Sequence, residues 1–596
     1  MQLRSNVKAL SFVKKLLEND TEHLLPFAPL AQKPLAPMYD GVRFPRSTPA
    51  AQGVPYALVD AFLRELAADK TAGVHSVLVL RHGKVIVDAN FAPYTAQTWH
   101  VTHSLCKSFT GTAIGLLVSD GLLALDEKVC DILPEKCTFL TNRRMKSVTV
   151  EHLLSMTSGV NFREVGAVLE KDWARAFLES DFVFEAGTEM DYNSMNSYML
   201  SAIVSKRTGK TLLEFLRERL FAPMGFGPVS WETCPLGITK GGWGMYLFLE
   251  DLAKLGQLYL QNGFWRVNGE EIELLDKKWI HSATGVRSTR ASSGEEYGYQ
   301  LWPHSADGSY MFNGMFGQYV IVYPDRDLIV AMNAGNGHLF TDSFAYQAVC
   351  RHFAPSALKT VPLPENKDEA ARLAFTLQNL HFAQAVPAYT APYAPSVWQS
   401  IKALFVKEAP PAPYTLPAKA KALIGKQLTL ENNANGLLPL ILQAMCDSYP
   451  RGIRSISFAQ EAEQLHMTWQ EGDEVNVLPL GFDGDAVGVA NINGTAWRVA
   501  THAAFAQDED GDDVLKIRVC FLESSSTRLI KLFFTENGAI VKLDETPAVA
   551  LALEKLADEQ SAMQAAVAFF KDFDYIQYKL AKLCTPRVRG SFQKNG

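Results

Sequence analysis

The stretch Ser104-Leu105-Cys106-Lys107 opens a long helical pattern and carries a hydroxyl and an amine three residues apart. Side chains at this spacing are neighbours on one face of a helix. An unassisted serine hydroxyl is a poor nucleophile at neutral pH, and an adjacent lysine can supply the group that activates it. The pair Ser104 and Lys107 is therefore the candidate catalytic centre.

Context separates this pair from other copies of the same spacing. Ser-x-x-Lys begins at Ser5, Ser11, Ser104, Ser356 and Ser591. Only Ser104 precedes a helix whose small residues, Gly111, Ala113 and Gly115, allow deep packing, and Gly121 is typical of its end. In the first turn of such a helix, unpaired N–H groups and the helix dipole favour developing negative charge. The alternative is that Ser104 only caps the helix.

Composition excludes several classes of protein. The chain has 596 residues, 47% of them hydrophobic and 20% charged, with a net charge of −7. This length predicts roughly two to four domains. We find no basic stripe interleaved with aromatic residues, and therefore expect no nucleic acid partner. The eight cysteines form no Cys-x-x-Cys pair, and no metal-ligand spacing is present. We expect reduced thiols, no metal and no cofactor.

Hydropathy indicates no stable membrane span, because no segment has the roughly 18 to 20 apolar residues that a spanning helix needs. Residues Met1 to Asp20 have the pattern of an amphipathic helix, without the apolar stretch and cleavage site of a signal peptide. Docking of this helix on the protein's own surface is the simpler interpretation, and binding to a membrane surface is the alternative. We expect a cytoplasmic location.

Periodicity predicts an α+β organisation. A Pro-rich helical extension covers residues 1–45. In the unit 46–360, a helix at 56–68 and strands at 76–81 and 84–88 precede mainly helical segments from 104 to about 260. Strand patterns return at 297–302, 309–312, 319–323 and 328–333. Strands at both ends with helices between them predict a largely antiparallel sheet flanked by helices.

The remainder of the chain divides into a connector and a second domain. Residues 361–418 are rich in Ala and Pro and are predicted to be partly helical between 367 and 385. Residues 419–596 alternate apolar and polar side chains, with a hairpin turn at Asn537-Gly538. This segment is predicted to be an antiparallel β-rich accessory domain that ends in helices at about 548–583.

Three stretches of the 46–360 unit resemble one known family. Trp99-His100-Val101-Thr102-His103-Ser104-Leu105-Cys106-Lys107-Ser108-Phe109 is similar to the nucleophile segment of the serine β-lactamase and penicillin-binding-protein-like hydrolases. Leu153 to Gly159 and Asp251 to Gly256 resemble later helices of the same family, in its class C-like branch of esterases, peptidases and amide hydrolases. The resemblance implies a β-lactamase-like catalytic domain with a helical subdomain.

The second catalytic element of this family is Tyr-x-Asn, and Tyr192-Asn193-Ser194 stands in its place. The resemblance implies that Tyr192 takes part in proton transfer, because a neighbouring lysine stabilises phenolate. Ser194 replaces the family's asparagine, and Asn193 lies one place early. Either side chain is a candidate donor to the substrate.

The third element is a strand that carries Lys-Thr-Gly in many relatives. The corresponding strand is Tyr310 to Gly314, which ends Phe312-Asn313-Gly314 and is followed by Met315, without a cation. The missing charge argues against a β-lactam or a substrate with a D-Ala-D-Ala carboxylate. Gly314 allows the strand edge to approach the substrate closely. The backbone N–H groups of Ser104 and Met315 are the expected oxyanion donors.

We therefore expect a serine hydrolase that cleaves a small ester, amide or peptide through an acyl-enzyme on Ser104. D-amino-acid peptidase or β-lactamase activity is one alternative, and a catalytically idle binding or scaffold relative is another. A Ser-His-Asp hydrolase is disfavoured because no Gly-x-Ser-x-Gly occurs, and a catalytic His103 is less favoured than a structural one. The C-terminal domain would cap the cleft, set substrate size or mediate assembly, and an oligomer is compatible with the sequence.

Overall fold

Two sheet-bearing units make up the computed structural model. It describes residues 33–267, 269–338, 343–390, 415–433, 435–449, 451–509, 511, 513–548 and 585–593, together with Ser11 and Lys15. The predicted helices at 1–20 and 548–583 and the Pro-rich piece at 410–413 lie outside the described residues. The domain boundaries after residues 45, 360 and 418 stay predictions.

The first unit contains thirteen of the described strands. They are β1 Val74–Arg81, β2 Lys84–Asn90, β3 His100–Val101, β4 Ser230–Trp231, β5 Met245–Leu247, β6 Phe264–Val267, β7 Glu270–Glu273, β8 Ser288–Thr289, β9 Glu296–Tyr297, β10 Trp302–His304, β11 Ser309–Gly314, β12 Gln318–Tyr323 and β13 Leu328–Ala334. The main sheet has the order β10-β11-β12-β13-β1-β2, and every pair in it is antiparallel. A small sheet, β3-β5-β4, lies next to the nucleophile segment.

Helices surround the main sheet. They are α1 Tyr56–Ala68, α2 Lys107–Ser119, α3 Val129–Ile132, α4 Val150–Leu154, α5 Glu164–Ala167, α6 Trp173–Leu178, α7 Ser194–Thr208, α8 Leu212–Leu216, α9 Leu249–Leu260, α10 Lys277–Thr284, α11 Phe344–His352 and α12 Lys367–Gln378. One face of β1, with Leu78 and Leu80, packs in the core that contains α2 and α9. The other face, with Val77 and Val79, packs in the core that contains α1 and α11. Burial on both faces explains why residues 77–80 of β1 form a continuous apolar run.

The second unit is a curled antiparallel sheet. After α13 Ala418–Lys421, its elements are β14 Gln427–Leu430, α14 Leu440–Met445, β15 Ile453–Glu461, β16 Gln464–Glu471, β17 Glu474–Leu480, β18 Ala486–Ile492, β19 Thr495–Gln507, β20 Asp513–Phe521, β21 Thr527–Thr535, β22 Gly538–Thr546 and β23 Arg587–Phe592. The ten strands run in the order β17-β16-β15-β14-β23-β22-β21-β20-β19-β18. The Asn476 side chain on β17 donates to the Asn491 carbonyl on β18 at 3.0 Å and accepts from its N–H at 2.7 Å, so the two end strands meet as in a barrel.

The two units share a hydrophobic core. Trp99, Tyr246 and Phe248 of the first unit belong to the same buried cluster as Trp469 and Trp497 of the barrel. The barrel therefore packs against the small sheet β3-β5-β4, whose strand β3 leads into the Ser104 turn.

The sequence predictions of class and of most elements are confirmed. The α+β architecture and the antiparallel β-rich second domain are present, α1 has the predicted bounds, and the hairpin at Asn537 joins β21 to β22. The predicted strand at 297–302 is wrong, because Gln300 has a φ of 63° and breaks the run into β9 and β10. The helix at Ser104 begins as a 3-10 turn, His103–Cys106, before α2. The predicted helix at 367–385 is confirmed as α12, ending at Gln378.

Within the described part of the chain, no helix has both the length and the apolarity needed to cross a membrane.

Deep packing of α2 rests on its glycines. A Cβ atom at Gly115 would lie 2.5 Å from the Trp279 ring. Gly115→Ala gains about 1 kcal/mol of helix propensity, but we expect a net destabilisation of about 1–3 kcal/mol because the buried indole has to move. Urea unfolding of the purified variant measures this change.

The matched control is Gly484→Ala, since a Cβ atom at Gly484 would have no heavy atom within 4 Å. Its free energy of unfolding should change by less than about 0.5 kcal/mol. Equal midpoints for the two variants would contradict the close packing of α2 against Trp279.

Candidate active site

The nucleophile segment is held between the small sheet and the end of β11. β3 pairs with β5 through His100 and Val101, and the chain then turns through His103–Cys106 into α2. Ser104 lies in this turn and is partly exposed, whereas its neighbours Leu105 and Lys107 are buried. The local geometry thus presents one reactive hydroxyl at the start of a buried helix.

Lys107 is the centre of the site. Its side chain is only 1% exposed, and its Nζ lies 2.9 Å from the Ser104 Oγ, 2.9 Å from the Ser194 Oγ and 2.7 Å from the Gly242 carbonyl oxygen. The Ser104 and Lys107 pair predicted from spacing is therefore in direct contact.

These three contacts are compatible with a neutral amine. A carbonyl oxygen can only accept, so one N–H of Lys107 is directed to Gly242. The second N–H can be donated to the Ser194 Oγ. The lone pair of the nitrogen is then left for the hydroxyl proton of Ser104. In the protonated state, all three N–H groups are donated to these same acceptors.

Tyr192 lies beside Lys107 with its ring facing the amine. The Nζ is 4.9 Å from the ring centroid, and the ring stacks on Trp302 at 5.5 Å between centroids. Arg163 donates to the Tyr192 carbonyl at 2.8 Å and forms an ion pair with Asp191. The face of an aromatic ring attracts a cation by roughly 0.5–2 kcal/mol, so the Tyr192 ring can stabilise a positive charge that forms at this nitrogen.

Asn193 and Ser194 have different positions at the start of α7. The Asn193 Oδ1 accepts from the Met195 N–H at 2.9 Å, and its Nδ2 donates to the Val160 carbonyl at 3.0 Å. Asn193 thus caps α7 and is 2% exposed. The Ser194 hydroxyl, by contrast, points to Lys107.

The end of β11 adjoins the nucleophile turn. A Cβ atom at Gly314 would lie 2.3 Å from the Thr102 carbonyl oxygen, so only glycine allows this approach. The Met315 backbone follows in a turn whose carbonyl accepts from the Gln318 side chain at 3.2 Å. Gln318 also donates to the Ala334 carbonyl at 2.6 Å, which ties the turn to β13.

A cleft of about 510 Å³ continues from this point. Asn313 and Met311 of β11 and Trp302 of β10 line it, with the loop residues from Ser293 to Glu296 and from Ser305 to Asp307. The Asn313 Oδ1 is buried and has no hydrogen-bond partner within the described ranges. The cleft thus includes Trp302, on which Tyr192 stacks, while Ser104 and Lys107 are not among its lining residues.

Two further side chains next to Ser104, those of Cys106 and His103, have structural surroundings. Burial raises the pKa of the Cys106 thiol to about 12, so the thiol stays protonated. The His103 Nε2 lies 2.8 Å from the Ser525 hydroxyl of the barrel.

Sequence reasoning missed the contact that Gly242 makes. In the sequence, the run Gly241-Gly242-Trp243-Gly244 indicates only an interruption of the helical segments. A Cβ atom at Gly242 would lie 2.9 Å from the Ser194 carbonyl oxygen, so glycine is needed for the backbone to reach α7 and Lys107. A glycine pair is a weak signal for such an approach, and it does not reveal the partner.

Nothing in the described ranges groups three or more His, Cys, Asp or Glu side chains in a way that could hold a metal ion.

Comparisons with known proteins find a family model and several related proteins. Residues 59–343 match the family model described as Beta-lactamase. The 6-aminohexanoate-dimer hydrolase of Paenarthrobacter ureafaciens is 24% identical over 323 residues, which cover 48% of this chain and 79% of that protein. Penicillin-binding protein 4 of Amycolatopsis lactamdurans is 28% identical over 195 residues, covering 31% of this chain and 46% of that relative. This chain thus spans less than half the length of the second relative.

Among solved structures, a D-stereospecific amidohydrolase from a Streptomyces species aligns with a TM-score of 0.39 at 16% identity, covering 50% of this chain and 99% of that chain.

The first unit has the β-lactamase-like fold that the sequence predicted, and it contains the contact between Ser104 and Lys107. The match of residues 59–343 to the Beta-lactamase family model confirms the resemblance drawn from the sequence.

Three buried histidines around the nucleophile segment make stability depend on pH. Burial lowers the pKa of His100 to about 4 and that of His103 to about 3, and it lowers the pKa of His75 well below its usual value. In the unfolded chain these groups titrate near 6.5. The unfolded state therefore binds more protons below pH 6.5, and the free energy of unfolding falls as the pH decreases from 6.5 towards 4. We expect a loss of roughly 1–2 kcal/mol per histidine between pH 7 and pH 5, measured by urea unfolding.

A variant pair checks the origin of this slope. His75→Asn should show a shallower pH dependence than the wild type, whereas His82→Gln, at an exposed turn, should keep the full slope. An undiminished slope in His75→Asn would contradict the assignment to the buried histidines.

Proposed function

We propose that this protein is a serine hydrolase that cleaves an ester or a small linear amide through an acyl-enzyme on Ser104. The observation that carries the proposal is the contact of one buried amine, Lys107 Nζ, with the hydroxyls of both Ser104 and Ser194. A nucleophile in contact with a base that is itself oriented by a third group is the arrangement that activates serine.

In the acylation step, the Ser104 Oγ attacks the substrate carbonyl carbon and its proton passes to the neutral Lys107 amine. The face of Tyr192 stabilises the ammonium group that forms. The tetrahedral intermediate then collapses, and the bond to the leaving group breaks. The leaving alcohol or amine receives the proton from Lys107, directly or through the Ser194 hydroxyl.

In the deacylation step, a water molecule attacks the acyl carbon and gives a proton to Lys107. The acyl–Oγ bond breaks, the carboxylic acid leaves and Ser104 regains its proton. Both steps use the same base, so no second titrating group is required. Tyr192 remains a candidate for the proton relay beside Lys107, as the resemblance implies.

The oxyanion would be bound by the backbone N–H groups of Ser104 and Met315. The support for this assignment is the close approach of Gly314 to the Thr102 carbonyl, which brings the start of the β11–β12 turn beside the nucleophile turn. Fixed N–H donors at this position stabilise the charge that develops on the carbonyl oxygen.

The substrate class is suggested by the end of β11. Residues Tyr310 to Gly317 contain no cation that could bind a substrate carboxylate, which argues against D-Ala-D-Ala peptides and β-lactams. Asn313 is one of the residues that line the cleft, and its Oδ1 has no hydrogen-bond partner within the described ranges, so it is the candidate acceptor for a substrate N–H. The name of the Paenarthrobacter relative, 6-aminohexanoate-dimer hydrolase, is consistent with a linear amide.

Covalent labelling tests the acyl-enzyme. A fluorophosphonate probe should add one adduct to the wild type, and the adduct should be absent in Ser104→Ala, as measured by intact mass. Ser356→Ala is the matched control, because Ser356 has the same Ser-x-x-Lys spacing at an exposed position. No adduct and no turnover of p-nitrophenyl esters in a folded wild type would favour an idle scaffold relative.

The kcat values of three variants test how much Lys107, Ser194 and Tyr192 each contribute to proton transfer. Lys107→Met should lower kcat by about 100- to 10,000-fold, the usual contribution of a positioned base. Ser194→Ala should lower kcat by about 10- to 100-fold, since Lys107 keeps its contact with Ser104 but loses one orienting partner. Tyr192→Phe keeps the ring that faces Lys107 and should cost less than Lys107→Met.

A larger loss of kcat in Tyr192→Phe than in Lys107→Met would make the phenol the main base. Activity of Lys107→Met equal to that of the wild type would contradict the mechanism.

A further inference from the structure

The connection between β20 and β21 of the barrel is buried throughout. Leu522 is 4% exposed, and the four residues from Glu523 to Ser526 are each 0–1% exposed. Connections between strands generally run over the protein surface, because burial removes water from their polar groups. The polar Glu523–Ser526 segment must therefore find its partners inside the protein, and three of them, Trp99, Val101 and His103, belong to the first unit.

Glu523 anchors this connection. Its carboxylate accepts from the Lys33 amine at 2.8 Å, from the Trp99 indole at 2.6 Å and from the backbone N–H groups of Ala36 and Arg498. The Glu523 carbonyl accepts from the Val101 N–H at 2.9 Å. The carboxylate is fully satisfied, which a buried charge requires, and it holds the strand that leads into the nucleophile turn.

Ser525 reaches the nucleophile turn itself. Its hydroxyl lies 2.8 Å from the Nε2 of His103, the residue that precedes Ser104. The imidazole is fully buried, and its Nδ1 has no hydrogen-bond partner within the described part of the chain. Ser525 is thus the partner that orients this ring.

The Ser525 backbone also supports the turn that carries Met315. A Cβ atom at Gly335 would lie 2.2 Å from the Ser525 carbonyl oxygen. The next residue, Asn336, donates its N–H to the Phe316 carbonyl at 3.1 Å. The Phe316 and His103 rings meet edge to face, with 5.5 Å between their centroids. The contacts of Ser525 thus reach Phe316 by two routes, through His103 and through residues 335 and 336.

Both residues held in this way have strained backbones. His103 has a φ of 47° and Phe316 a φ of 63°, in the left-handed region that disfavours side chains with a Cβ atom. Such conformations persist only where surrounding contacts impose them, and they are common at functional sites. One precedes the proposed nucleophile, and the other follows the proposed oxyanion donor.

A second contact from the barrel domain reaches the Lys107 side of the site. Lys240 contacts the Met445 carbonyl at 3.2 Å, at the last residue of α14, and the Asp447 carboxylate at 3.3 Å, two residues further on. The Gly242 N–H donates to the Lys240 carbonyl at 2.8 Å, and the Gly242 carbonyl accepts from Lys107. The C-terminal domain therefore contacts the supports of both Ser104 and Lys107.

We infer that Ser525 of the C-terminal barrel is a positioning residue for Ser104, acting through His103, and that the barrel is an integral part of the active site. This inference rests on the proposed function, because it concerns the reactivity of Ser104. It gives the accessory domain a role different from capping the cleft, setting substrate size or mediating assembly.

The test compares Ser525→Ala with Ser526→Ala in the full-length protein. Ser526 is the matched control, because it is a serine of the same buried connection and its hydroxyl has no hydrogen-bond partner within the residues described. The readouts are kcat and KM for a p-nitrophenyl ester, the rate of fluorophosphonate labelling and the thermal midpoint. All rates are measured at a temperature at which both variants are folded.

We expect kcat and the labelling rate of Ser525→Ala to fall by about 10- to 100-fold, with KM changed by less than about twofold, because a small displacement of the nucleophile impairs chemistry more than binding. Ser526→Ala should stay within about twofold of the wild type. His103→Asn should lose a similar factor, and the double variant Ser525→Ala/His103→Asn should lose no more than His103→Asn alone.

Equal kinetics for Ser525→Ala and Ser526→Ala, or fully additive losses in the double variant, would overturn the inference while leaving the proposed function intact. A wild type that is neither labelled nor active would remove the proposed function and the inference with it.

Discussion

The amine of Lys107 contacts three parts of the chain. The arrangement of the first unit around the candidate active site depends on these contacts. Its contacts reach the turn before α2, the first residue of α7 and the glycine run before β5. A buried amine is costly unless its hydrogen bonds are satisfied. The deep packing of α2 and the glycines at 241 and 242 are what allow these partners to converge on one atom.

The second constraint is the strain next to the site. Two residues with positive φ, His103 and Phe316, flank the proposed nucleophile and oxyanion donor. Their conformations are imposed by contacts from outside the sheet, including a buried connection of the barrel. The hydrophobic core that Trp99 and Tyr246 share with the barrel keeps that connection in place. Precision at the site is therefore supported by a domain that lies outside the matched family segment.

Local signals in the sequence were sufficient for most of the fold. Apolar periodicity and turn residues placed α1 and the hairpin at Asn537, and the class followed from their order. The failure at 297–302 has a local cause, because the positive φ of Gln300 interrupts an apparently regular run. Ser104 and Lys107 were identifiable because the two residues lie three apart on one turn. The roles of Asn193 and Ser194 were not separable, since both are small polar residues at the start of one helix.

The sequence by itself determined the class of the fold, the antiparallel second domain and the Ser104–Lys107 pair, because periodicity and short-range spacing encode them. Only the tertiary structure decided which groups complete the site. Ser194 and Gly242 meet Lys107 across 87 and 135 residues, and Ser525 meets His103 across 422 residues. Contacts over such separations arise when helices and sheets pack. No local pattern specifies them, and they depend on burial and on steric fit between segments that are remote in the chain.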